Sequence, residues 1–128
     1  MMKLDIRRVV VASSRNVGRY IRFSSNGQIA VSAEAVRILE ISEEDKAVFF
    51  QDNNNAKDWY FSFGKQGDYP LRKTGKEHDD TLQFSSSGIR AEVANALELP
   101  KKTFRLWVSK EPVNLEDKKL WKLNLREP

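Results

Sequence analysis

Residues 21–50, IRFSSNGQIAVSAEAVRILEISEEDKAVFF, return in altered form as residues 82–108, LQFSSSGIRAEVANALELPKKTFRLWV. Phe23-Ser24-Ser25 recurs as Phe84-Ser85-Ser86, Ala33-Glu34 as Ala91-Glu92, and Leu39-Glu40 as Leu97-Glu98. From Ala33 to Phe50 the correspondence with Ala91–Val108 needs no gap. The tails continue it, with Trp59, Phe61 and Phe63 falling on Trp121, Leu123 and Leu125. Two copies of one small unit predict a shared core, because such a unit cannot bury its own apolar face. The competing reading is that similar physics shaped two helix–turn–strand segments alike. The aromatic tails favour duplication, since they lie well beyond the helix and alternate in the same phase.

Local signals fill in the elements around this stretch. Lys3 to Ala12 reads as a strand, rich in β-branched Val9, Val10 and Val11, followed by a turn-rich loop from Ser13 to Gly18. Arg19 to Ser24 alternates, with Ile21 and Phe23 on one face and Tyr20 and Arg22 on the other. Asn26-Gly27 predicts a hairpin turn, because both residues tolerate positive φ, with Gln28 to Val31 as the return strand. Ser32 is a predicted helix N-cap and Glu34 suits the first turn, with Ala35, Ile38 and Leu39 as the apolar face. Strands follow over Lys46–Gln51 and Trp59–Phe63. The second copy reads as a strand over Thr81–Ser85, a helix over Ile89–Leu97 with Val93, Ala96 and Leu97 inward, and a strand over Thr103–Ser109. A loop around Glu111-Pro112 then leads to a last strand over Leu120–Leu125. Each copy is expected to be strand, short strand, short helix, strand, strand. The chain is thus read as one domain over 1–128, with repeat one about 19–63, a mobile linker about 64–80, and repeat two about 81–125. The fold class is mainly β with short helices (α+β).

Composition bounds the function. Of 128 residues, 40% are hydrophobic and 31% charged, which fits a globular chain with a real core. There is no cysteine, which excludes disulfides, thiolate metal sites and cysteine nucleophiles. His78 is the one histidine, so a histidine metal site within one chain is not expected. No cofactor and no metal is expected. No apolar run is long enough to cross a bilayer, and Val9-Val10-Val11-Ala12 is too short for a signal-peptide core. The expected location is cytoplasmic, away from the membrane. The net charge of +4 is unevenly spread. From Met1 to Asn26, Lys3, Arg7, Arg8, Arg15, Arg19 and Arg22 face Asp5 alone, whereas Glu40 to Asp58 is mainly acidic. The first stretch is therefore the candidate polyanion-facing surface.

The first copy resembles the swapped-hairpin family of the AbrB, SpoVT and MazE type. Gly27-Gln28-Ile29-Ala30-Val31-Ser32 stands at the family's turn and short strand, and Ala33–Arg37 at its short helix. Leu39-Glu40-Ile41 stands where Leu-Gly-Ile is expected, and Ser42–Phe49 resembles the acidic turn and exit strand. Gln28 replaces the usual basic residue, Ser32 the usual Pro and Glu40 the usual Gly. The resemblance covers about thirty residues well and the second copy poorly. It implies two interleaved halves in one pseudo-two-fold small barrel, formed within one chain as in MraZ-type members.

The resemblance also implies a non-enzymatic DNA-binding protein, a transcription regulator, with double-stranded DNA as partner. The matching basic candidates are Arg15, Arg19, Arg22, Arg37 and Arg90. Arginine suits this work because its planar fork reaches phosphate oxygens or guanine with two bonds. The bland reading of each arginine is a solubilising surface charge, and Gln28 argues against standard operator recognition. A second hypothesis is a protein–protein interaction or assembly module, carried by Tyr20, Tyr60, Tyr69 and Trp107 facing away from the core. Catalysis is not expected. His78-Asp79-Asp80 and Glu43-Glu44-Asp45 read as solvated loops, and Ser24-Ser25 and Ser85-Ser86-Ser87 as turn-bonding serines.

Overall fold

The computed structural model describes residues 18–75 and 79–127. The strand read over Lys3 to Ala12, Arg15 and His78 lie outside the described residues.

The described residues open with the predicted hairpin, β1 (Tyr20–Phe23) and β2 (Gln28–Val31). Gly27 sits at a φ of 89°, Ser24 N–H donates to the Gln28 carbonyl at 2.8 Å, and Gln28 N–H donates to Asn26 Oδ1 at 3.1 Å. Helix α1 (Ala33–Leu39) follows, capped by Ser32, whose Oγ accepts from Ala35 N–H at 3.3 Å. Strands β3 (Lys46–Gln51) and β4 (Trp59–Gly64) form a long antiparallel ladder, from Lys46 opposite Gly64 to Gln51 opposite Trp59. The second half has β7 (Leu82–Ser85), α2 (Ser87–Ala96), β8 (Phe104–Val108), β9 (Val113–Leu115) and β10 (Lys118–Asn124), with β5 (Tyr69–Pro70) and β6 (Arg72–Lys73) between the halves.

The strands run β5-β3-β4-β10-β8-β1-β2-β7-β6 in one curved antiparallel sheet. It rolls into a nearly closed barrel whose interior holds one hydrophobic cluster drawn from both halves. Ile21, Phe23, Ile29, Val31 and Phe61 meet Leu82, Val93, Leu106, Val108 and Leu123 there. Complete burial of a side chain such as Phe23 is worth roughly 1.5–3 kcal/mol. Leu39, Leu97 and Phe49 pack against this cluster from its rim.

The structure corrects the sequence reading at several points. The stretch read as a mobile linker carries β5 and β6. Tyr69 and Pro70 pair with β3, Arg72 and Lys73 pair with β7, and Leu71 between them is 2% exposed. The order ends on β5 beside β3 and on β6 beside β7, so this one segment spans the seam between β3 and β7. Phe84 of β7 meets Phe49 of β3 and stacks on Tyr69 across that seam, with centroids 5.9 and 5.0 Å apart. Ile38 is 52% exposed, and Val36 is buried beside Ala35 instead. A helix of two turns offers too few repeats to choose between neighbouring stripes. Helix α2 begins two residues earlier than read, because Ser86 Oγ caps Ile89 N–H at 3.1 Å. No short strand stands between β7 and α2, so the second copy lacks the element expected there. Val113–Leu115 forms a strand folded onto β10 through Glu116-Asp117, both at positive φ, which is the geometry of a two-residue hairpin turn. Leu125 is exposed, so the inward face of β10 ends at Leu123.

Candidate functional site

Opposed residues in an antiparallel pair share a face, so the register fixes what the outside of the barrel presents. Arg105 of β8 lies opposite Arg22 of β1, Arg22 opposite Ala30 of β2, Ala30 opposite Gln83 of β7, and Gln83 opposite Arg72 of β6. One row thus reads Arg105, Arg22, Ala30, Gln83, Arg72 across the face. At about 4.8 Å per strand the row is roughly 19 Å long. Its neighbour on one side pairs Trp107 with Tyr20, and on the other Gln28 with Ser85.

Ala30 is small, so the face is hollow at its centre. A cavity of about 600 Å³ is lined by Tyr20, Arg22, Gln28, Ser32, Asp79 and Thr81 among others. A second depression of about 400 Å³ has Arg72, Lys73 and Ser85 in its wall, and Gln28 and Gln83 line both. Between the two, Gln28 Nε2 donates to Gln83 Oε1 at 2.6 Å. Arg105 is stacked on the Tyr20 ring, Cζ 4.2 Å from the centroid, which fixes it on the face. Arg22 is half-buried, and its Nε is buried with no hydrogen-bond partner. Among the described lining residues of both hollows Asp79 is the one acid. Its carboxylate accepts from Thr74 Oγ1 at 2.8 Å and from Thr81 N–H at 3.0 Å.

The described members of the expected set, Arg19, Arg22, Arg37 and Arg90, do not gather on one face. Arg22 stands at the centre of the row. Arg19, just before β1, lines a different hollow with Glu34, Ile38, Lys110 and Glu127. Arg37 is exposed in the last turn of α1, beside Glu40, Glu43 and Asp80. Arg90 is 8% exposed. Its Nε donates to the Ser24 carbonyl at 2.9 Å and a terminal nitrogen donates to the Lys102 carbonyl at 3.0 Å, with Phe104 beneath the guanidinium. It ties the first hairpin to the turn before β8, a correction to its reading as a surface cation. Tyr20 faces away from the core cluster, on the outer face with Trp107, but is covered there by Arg105, and Tyr69 is half-buried on Phe84, so neither offers an open aromatic surface.

Arg105 and Arg72 were missed by the sequence reading. Arg105 was within reach, because an inward Phe104, Leu106 and Val108 turn Arg105 outward. Arg72 had no signal, since a two-residue strand has no periodicity. The acidic clusters serve their own turns: Asp45 Oδ2 accepts from Ser42 N–H at 2.8 Å. Among the described residues no cluster of histidine, cysteine or carboxylate side chains has the arrangement to hold a metal. No described helix is long and apolar enough to cross a membrane. Comparison of the chain with protein-family models, curated proteins and solved structures finds no match, so the face must be read from its own chemistry.

Proposed function

We propose that this protein binds double-stranded DNA through the outer face of β8, β1, β2, β7 and β6, and acts as a non-enzymatic regulator of transcription. The observation that carries the reading is the cross-strand row with three arginines and Gln83, no acid within it, and Gln28 of the adjoining row bonded to Gln83. A basic stripe along a sheet is the electrostatic footprint of a phosphate backbone. Arginine adds paired donors, and glutamine adds donors and acceptors for base edges.

The same proposal extends to the architecture: two swapped-hairpin halves related by a pseudo-two-fold axis, as in AbrB-like and MraZ-type proteins. The β4–β10 register supports it. Trp59 lies opposite Leu123, Phe61 opposite Trp121, and Tyr60 opposite Lys122. Under the sequence correspondence these are the pairings a two-fold axis beside Tyr60 and Lys122 would make. Ring position adds a difference, because β2 has no counterpart in the second half.

Fluorescence anisotropy with mixed-sequence duplex DNA at low salt tests the reading. Binding is expected at micromolar protein and should weaken with salt by about 0.9 log units per phosphate contact for each log unit of salt. Arg72→Ala combined with Arg105→Ala should weaken binding and flatten the slope by about two contacts' worth. Lys118→Ala with Lys119→Ala, on β10, should leave both unchanged. No binding at tens of micromolar protein would overturn the DNA reading and favour the assembly module.

A further inference from the structure

We propose that the 600 Å³ cavity beside Arg22 takes a nucleotide unit, with its phosphate group on the Arg22 guanidinium and its base edge on the Gln28–Gln83 pair. This rests on the reading of the face as anion-facing, but not on duplex binding. Arg22 is the starting point. A buried Nε–H without a partner is uncommon in a folded protein and costs free energy as it stands. Arg105 lies directly opposite it on β8, and like charges so placed repel. An anion at Arg22 would give the pair a counter-charge, and a turn of the guanidinium that brings the covered Nε to the anion would give that donor an acceptor. Phosphate and carboxylate oxygens match the donor spacing of a guanidinium edge.

The rest of the cavity selects what carries the anion. A water occupies about 30 Å³ of liquid volume, so 600 Å³ is far more than a bare ion fills and lies within the range of small-molecule sites. Gln28 spends one amide hydrogen on Gln83 Oε1. That bond fixes both amides and leaves Gln28 Oε1 as an acceptor and Gln83 Nε2 as a donor, the pair of functions that reads a base edge. Asp79 is held by Thr74 and Thr81 at the cavity wall and keeps a second anion from that end. The lining therefore has a cationic end, a neutral amide wall and an acidic limit. That polarity fits a molecule with one phosphate and a hydrogen-bonding ring, and fits a di- or triphosphate poorly.

The experiment uses the full chain labelled with nitrogen-15, following the Arg22 Nε–H resonance while inorganic phosphate, a purine nucleoside monophosphate or a short duplex is titrated. The mononucleotide should move the resonance saturably, with at least tenfold higher affinity than inorganic phosphate. Arg22→Gln should weaken nucleotide binding at least tenfold. Arg22→Lys keeps the charge and the fold but lacks the Nε donor, and should still weaken it several-fold, with Gln83→Leu weakening it while leaving phosphate binding unchanged. An unmoved Nε resonance, or an Arg22→Lys protein that binds as the parent does, would overturn the proposal. Equal affinity for phosphate and nucleotide would overturn the assignment of the base. Duplex binding with a silent Arg22 Nε sinks the cavity and spares the DNA reading. Nucleotide binding without duplex binding does the reverse.

Discussion

Helix α1 is entered from β2 through Ser32, and helix α2 directly from β7 through Ser86, yet both leave through a glutamate held at a φ of 57°. In α1, Glu40 N–H donates to the Arg37 carbonyl and Ile41 N–H to that of Val36. In α2, Glu98 N–H donates to Asn95 and Leu99 N–H to Ala94, the same pattern at the corresponding positions. This is the left-handed helix cap that usually falls to glycine. The exits agree because the next strand, β3 or β8, must start at a set height on the barrel. The entries differ because a helix can gain a turn at its N-terminus without moving its C-terminus. The first half uses those residues for β2, which pairs with β7. The second half winds them into α2. Two segments of similar sequence thus share the exit geometry the core requires while their entries differ.

The most severe way to break the comparison is to separate the halves. A chain cut between Gly67 and Lys76, with each half made alone, should give two poorly folded products by circular dichroism and thermal melting, because one cluster draws on both. Two halves with their own sharp transitions would show that each copy has its own core.

A finer probe uses Ser32, the cap of α1, and Arg90 inside α2, which stand just before Ala33 and Ala91 in the sequence correspondence. Both are buried polar groups that hold neighbouring segments together. Ser32 Oγ donates to the Gly18 carbonyl at 2.8 Å and accepts from Tyr20 N–H at 3.1 Å. Arg90→Ala strands two carbonyls and a cavity, at about 3–4 kcal/mol. Ser32→Ala removes a cap and a tie, at about 1–2 kcal/mol. Urea titrations rank the two. Equal costs would mean that Arg90 is not the stronger joint.

The mildest effect sharpens the likeness of the exits. Glu40→Gly and Glu98→Gly should each stabilise the fold by about 0.5–1 kcal/mol, since a left-handed conformation costs a side-chain-bearing residue about that much or more. The exposed Lys57–Glu98 pair at 3.7 Å subtracts little. The two gains should add, as the sites share no partner. Opposite signs at the two positions, read as melting-temperature shifts, would end the equivalence.

Much of this was legible in the sequence where the chain is regular. The Asn26-Gly27 turn, the alternation of β1, β4 and β8, and the Ser32 cap each carry a local physical signature. What was not legible has two causes. Segments of two or three residues, such as β5, β6 and β9, are too short to show a period, so their pairing is set by the edges they meet. Arg90 is the other kind. Charged residues are almost never buried without partners, and its partners are two carbonyls far away in sequence, which no local pattern announces. The same blindness hid the stripe, because Arg105, Arg22 and Arg72 become neighbours only through strand order.

The seam between β3 and β7 has a kinetic consequence. Ladder pairs elsewhere in the barrel can form one after another, but β5, Leu71 and β6 have no complete docking edge until both β3 and β7 are in place. Closure that follows the rate-limiting barrier has a kinetic signature: Leu71→Ala should hasten unfolding far more than it slows folding, and equal effects on both rates would place closure earlier. Amide protons along the Tyr69–Lys73 clasp would exchange through openings that leave the remaining strands paired, making the seam a foldon of its own with a lower free energy of opening than the molecule as a whole.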